Sequence, residues 1–250
     1  MRVLVLLMSL AMPAVAWLAN REAFGPTNGE ISNAHPTLLV AAGYAFAIWG
    51  LIFLLNMAFG IWQLPARRGA SGALARIRLP AALGFALTAV WMPVFSMQVF
   101  WLALLIIWAA LACLLACALI LSRDPRPEPG QRWLAWLPLS LHAGWLSLAA
   151  FLNTAQVIVA YRWLPTDDML GWSLGLFGLA ALMLLALNRR MRGNLAYAAA
   201  ALWALAAVYV QQSRSDLAGA DTAAWIAVAI AVVLAAQTLW LRLRRNPRAA

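Results

Sequence analysis

The sequence predicts an all-α polytopic membrane protein, a bundle of about eight transmembrane helices, and three observations carry that prediction. The 250-residue chain is 65% hydrophobic and only 10% charged, with a mean hydropathy of +0.82. A soluble domain of this size must turn much of its surface to water and cannot hide so much apolar area. The apolar residues also gather in runs of about 20, the length of helix that crosses a hydrocarbon layer of about 30 Å. Finally, the connections between runs alternate in charge without a break.

The runs fall near residues 3–19, 37–63, 79–98, 100–121, 133–160, 169–188, 194–211 and 222–241. The first follows Arg2 and ends near "PAVA"; this also fits a signal peptide with an A-x-A cleavage site at Ala16, and either reading leaves the same sidedness. The second contains "AGYAFAIWGLIFLLNMAFGIWQ", in which Trp49, Asn56 and Gln63 recur every seven residues. A helix that only touched lipid would have no use for an amide at mid-depth. The third and fourth runs are nearly fused. As one rod they would be about twice the hydrocarbon thickness, so they fold back as a hairpin. Pro93, Ser96 and Gln98 mark the turn. The last three runs carry small-residue faces, "GWSLG" with Gly171 and Gly175, and "AYAAAALWALAA", which suit close helix packing or a homodimer.

Fifteen of the 18 basic residues, all arginine, lie in one set of connections. They are Arg2; Arg67, Arg68, Arg76 and Arg78; Arg123, Arg126 and Arg132; Arg189, Arg190 and Arg192; and Arg242, Arg244, Arg245 and Arg248. The other set holds Arg21, Arg162 and Arg214 with Glu22, Glu30, Asp167, Asp168, Asp216 and Asp221. The positive-inside rule then makes both termini cytoplasmic, in what reads as a bacterial inner membrane. The formal charge of +10 follows from topology, so no nucleic-acid partner is expected. The bilayer itself is the expected partner.

The membrane interior excludes several chemistries. All eight acids lie in loops, against intramembrane aspartyl proteolysis or proton coupling through a buried carboxylate. The chain has no lysine for a retinal Schiff base, no HExxH, no GxGxxG and no phosphate loop. "GASG" at 69–72 mimics a protease serine motif but sits in an arginine-flanked loop. Cys113 and Cys117 share one helix face and read as small apolar fillers; no metal set is visible. Catalysis is left with few candidates: no catalytic or metal-binding residue is assigned, and an enzyme stays open as the least favoured alternative.

What the interior does contain is tryptophan, 14 in all. Trp17, Trp133, Trp172 and Trp225 stand near span ends as interface anchors. At 100° per residue, His142, Trp145, Ala149, Asn153 and Gln156 form one stripe of the fifth span, about 80° wide. Trp49, Phe53, Asn56, Gly60 and Gln63 form a similar stripe on the second. Each is read either as helix packing through amides and small residues or as the wall of a slot for a flat apolar ligand.

The motifs on the first five spans resemble the translocator protein, or tryptophan-rich sensory protein (TspO/MBR), family. "AGYAFAIWGLIF" corresponds to the aromatic second helix, "WMPVF" (Trp91, Pro93, Phe95) to a Trp-x-Pro-x-Phe pattern of the third, and "PLSLHAGWLSLAAFLN" to the fifth, with Pro138, Trp145, Ala149, Leu152 and Asn153 in order. The departures are Ala41 and Ala47 where the family has prolines, a second-span motif one residue shorter, a longer loop before it, and three extra C-terminal spans. The resemblance implies a TspO/MBR-like five-helix bundle over residues 1–160, with three additional helices and a basic tail over 161–250. It implies a ligand-binding protein for a hydrophobic small molecule, a tetrapyrrole such as protoporphyrin or haem, for sensing or transport. Trp49 and Trp145 would clamp the macrocycle, with Phe46, Phe53, Trp91 and Ala149 lining the site. Asn56, His142 and Asn153 would orient the ligand, and Arg21 or His35 would meet its propionates. No resident cofactor is implied beyond that ligand. The family's sterol motif is not met, because Tyr161 and Arg162 touch with no spacer. The alternatives are a small-solute transporter using all eight spans, or a structural membrane subunit without a ligand.

Overall fold

The computed structural model describes residues 1–65 and 72–244. Arg67, Arg68, residues 69–71 of the "GASG" string, Arg245 and Arg248 lie outside the described residues. Among those described, eight helices are long and apolar enough to cross a membrane. The chain is a multi-pass integral membrane helix bundle.

Helix α1 (Arg2–Ala19) turns Val5, Ser9, Met12 and Ala19 inward and leaves Val3, Leu7 and Leu10 exposed, the division expected of a helix between protein and lipid. The loop after it contains a short helix, α2 (Asn28–Ala34), which the hydropathy of the sequence could not reveal because "NGEISNA" is polar. Its local signal was present. Thr27 and Glu30 form a capping box in which Glu30 N–H donates to Thr27 Oγ1 at 3.3 Å. Thr27 N–H donates back to Glu30 Oε2 at 2.7 Å. These bonds hold the Glu30 carboxyl below the ordinary carboxylate range. A depressed carboxylate adds stability above its unfolded value and loses it as pH falls through the folded one. We therefore expect the amide protection factors over 27–34, exchange rates corrected for their intrinsic pH dependence, to fall below that range, and that fall to be absent in Glu30→Gln.

The second span enters the bundle later than residue 37. Thr37–Ala42 runs without helix, a 3₁₀ turn covers Gly43–Ala47, and α3 covers Ile48–Trp62. The reason is tertiary: Gln212 Nε2 donates to the Thr37 and Val40 carbonyls, both at 3.0 Å, and Ala42 N–H donates to Ala207 O at 2.9 Å. Backbone groups satisfied from outside need no helix. The third and fourth spans are α4 (Ala73–Ser96) and α5 (Phe100–Ser122). Their hairpin turns at Met97–Val99, with Gln98 at φ 60°. Helix α4 starts six residues before the apolar run and carries Arg76 and Arg78 in its first turns, where long side chains reach the interface. A π turn (Arg132–Trp136) leads into α6 (Leu137–Ala160). Then follow α7 (Leu170–Arg190), α8 (Leu195–Gln212) and α9 (Ala220–Leu243).

Neighbouring helices close a ring in the order α1, α4, α5, α6, α3 and back to α1. Helix α6 also packs on α8 and α7, with α9 outside them. It is the shared wall of the molecule: 72% of its spanning window is buried, against 22% for α1 and for α7. Close approach to α8 depends on Gly144, where a Cβ would collide with the Tyr197 carbonyl oxygen and stand 3.0 Å from the Tyr197 Cα.

Candidate functional site

The stripe on α3 divides. Gln63 Nε2 donates to Arg2 O at 2.7 Å, and a Cβ on Gly60 would stand 3.2 Å from Leu6 Cα, so the lower part faces α1. Trp49, Phe53 and Asn56 face α6. A seven-residue repeat drifts about 20° per heptad on a straight helix, which carries the same stripe from one neighbour to the next.

Where α3 meets α6 the rings interlock. Trp49 stacks on Phe53 with centroids 5.3 Å apart and meets Trp145 edge to face at 6.0 Å. Phe46 meets Trp145 edge to face at 6.3 Å, despite the shortened motif before it. Tyr44 points elsewhere, against Trp203 of α8 at 5.4 Å. The two indoles thus share the interior of the ring, but as perpendicular neighbours instead of parallel plates across a slot.

His142 stands below them, fully buried, stacked on Phe85 of α4 at 6.1 Å. Thr88 Oγ1 donates to Gly84 O at 2.8 Å. At 3.4 Å from His142 Nε2 the same hydroxyl therefore accepts. The proton lies on Nε2, and Nδ1 accepts from Asn56 Nδ2 at 3.0 Å. Both its nitrogens are occupied, so it serves as a tie between α3, α4 and α6. A metal would have to break one of these bonds.

Three helical turns further along α6, the pattern changes. Asn153 is 2% exposed, and neither its Oδ1 nor its Nδ2 has a partner. Trp145 Nε1, Trp91 Nε1 and Ser96 Oγ are likewise buried and unpartnered. On α6, Asn153 lies about 20° round from His142 and so faces the same interior. Helices α4 and α6 run in the same direction, and the Thr88–His142 contact sets their levels. Trp91 and Trp145 then stand at one depth, with Ser96 and Asn153 beyond them. Ala149, half-buried, leaves room between. Buried polar groups are almost always satisfied, so an amide left open at both atoms marks a place where something else can bond.

The loop from 20 to 42 closes this end. Gly25 passes under the hairpin so closely that a Cβ would sit 2.5 Å from Ser96 O. Gln156 Nε2 donates to Ser32 Oγ at 3.0 Å, and His35 packs edge-on against Phe100 at 5.2 Å. Arg21 lies 4.1 Å over the Trp17 ring, at the rim. Phe85, Thr88, Ser32 and Gln212 carry much of this architecture, and no sequence spacing pointed to them. Their partners are 54 to 175 residues away.

Comparison with known proteins supplies one match. The family model described as TSPO-like protein covers residues 2–240, from the first span into the eighth. Neither the curated proteins nor the solved structures give a match.

Proposed function

Since the chain belongs to the TSPO-like protein family, we propose that it binds a flat hydrophobic ligand, of the tetrapyrrole kind, inside the five-helix ring for sensing or transport. The observation that carries this reading is the Asn153 amide, buried with neither polar atom partnered, while the Trp145 and Trp91 indole N–H groups are also unpartnered. The Asn153 amide offers a donor and an acceptor, and the two indoles offer N–H groups. Trp49, Phe46 and Phe53 form an aromatic wall against which the macrocycle lies, in place of a parallel clamp. The bond from Asn56 Nδ2 to His142 Nδ1 holds that wall in position. Arg21 and His35 stand at the loop-covered end, where ligand carboxylates would emerge. The residues after 160 act as a scaffold, holding the 37–45 segment through α8.

Asn153→Leu tests this, because binding and stability move in opposite directions. Replacing an unsatisfied buried amide by a similar apolar shape is neutral or stabilising for the fold. For the ligand it removes a polar anchor worth about 1–2 kcal/mol, or roughly tenfold in affinity. Titration of the purified protein with protoporphyrin, followed by tryptophan quenching, should show weaker binding with an unchanged or raised melting temperature. Equal affinity in Asn153→Leu and the parent would remove the site from this place.

A further inference from the structure

The arginine-rich end holds a feature that this reading does not use. An open groove of about 640 Å³ is lined by Arg123, Arg189, Arg190, Arg192 and Ala186. It adjoins a second of about 750 Å³ that shares Arg123 and adds Arg76 and Arg126. No acid lines the first groove. Asp124 and Glu128 line the second groove; Asp124 is spent on its own turn, accepting from Gln131 Nε2 at 2.6 Å and from Arg126 N–H at 3.1 Å. The C-terminus of α7 does not balance the charge. A helix end carries about half a negative charge, and Arg123, Arg189 and Arg190 line the groove beside Arg192, which has a partner of its own.

The groove is also built firmly. Arg123 Nε donates to Arg190 O at 3.2 Å, which joins the end of α5 to the end of α7. Asn194 Nδ2 donates to Ser122 Oγ at 3.0 Å and to Ser140 Oγ at 2.7 Å, while Trp136 Nε1 donates to Ser122 Oγ at 3.1 Å. The turn that carries the arginines is therefore pinned to α5, α6 and α8. Below it the surface is apolar. Leu182 is 67% and Leu179 57% exposed, and with Ala186 and Arg190 they follow the i, i+3, i+7, i+11 spacing of one helix face.

We infer that this groove seats an anionic phospholipid. Its phosphate is gripped by Arg189, Arg190 and Arg123, and an acyl chain lies along Leu182 and Leu179. Charge alone would suit any phosphate. The apolar track leading out of the groove selects one that carries a lipid tail.

The test is lipid retention by the full chain in detergent, read by native mass spectrometry with added phosphatidylglycerol or phosphatidylcholine. In Arg189→Gln/Arg190→Gln, phosphatidylglycerol retention should fall about thirty-fold, from the usual weight of two arginines at an anionic surface, with phosphatidylcholine unchanged. Arg214→Gln, at the opposite end, should change neither. Leu182→Gln should weaken phosphatidylglycerol but leave the lipid-free melting temperature as it was. Equal phosphatidylglycerol retention by the double variant and the parent would overturn the site. An equal loss in Arg214→Gln would reduce it to general charge. Full displacement of the lipid by 10 mM inorganic phosphate, a concentration of order chosen to exceed weak anion binding, would make it a simple phosphate site and overturn the lipid assignment.

Discussion

Gly144→Ala is expected to be among the most damaging single substitutions in the chain. The added Cβ would meet the Tyr197 carbonyl oxygen and stand 3.0 Å from the Tyr197 Cα and carbonyl carbon. These are backbone atoms of a neighbouring helix, so no rotamer change relieves the clash; α8 as a whole must move. Overpacking of this kind costs about 3 kcal/mol or more when backbone has to shift. The displacement would also strain the Tyr197 hydroxyl bond to Ser147 Oγ, 3.0 Å long, and the Gln212 bonds that hold Thr37 and Val40. Unfolding in mixed micelles should show the loss, and proteolysis within the 37–42 segment should rise with it. Gly171→Ala is the control. No atom stands within 4 Å of a Cβ there, so its stability should stay within about 1 kcal/mol of the parent, helped slightly by alanine's helix preference. A Gly144→Ala protein as stable as Gly171→Ala would mean that α6 and α8 are not in backbone contact.

His142→Ala is the second large effect. The ring fills space between Phe85 at 6.1 Å and Trp49 at 5.6 Å, and its loss leaves a cavity as well as an unpaired Asn56 amide. Large-to-small changes at such sites cost about 3–5 kcal/mol in soluble cores. Hydrogen bonds between membrane helices add a smaller share, about 0.6 kcal/mol on average. We expect about 3 kcal/mol in all, with near-parent expression. The companion variant Asn56→Ala isolates the pair. If the tie is as described, Asn56→Ala should cost little once His142 has gone, with a coupling of about 0.5–1 kcal/mol in the double-mutant cycle. Strict additivity would separate the two residues.

How much of this was legible in the chain differs from element to element. The fifth span was readable in its limits and in part of its stripe: His142 and Trp145 both meet Trp49 of α3, while the contacts of Gly144 and Ser147 with Tyr197 of α8 had no sequence signal. The second span was readable only in part. Its heptad of Trp49, Asn56 and Gln63 implied one face with one partner, yet the drift of a straight helix gives it two. Helix α2 carried its capping box in the sequence, but a polar stretch of seven residues is invisible to a search for spans. The perpendicular meeting of Trp49 and Trp145 had no sequence signal at all, since ring angles depend on how neighbouring helices lean.

The sequence by itself determined the number of spans, the hairpin between α4 and α5, and the sorting of arginines to one end. Each is a transaction between one segment and its solvent. A run of apolar side chains must leave water, a peptide group in hydrocarbon must bond within its own helix, and a guanidinium must stay at the surface. Only the tertiary structure decided which helices became neighbours, that the Asn56 Nδ2 would find His142 while neither polar atom of Asn153 would find a partner, and that α8 would pin the loop before α3. Those outcomes depend on the shapes of two surfaces brought together from distant parts of the chain, and no single segment contains both.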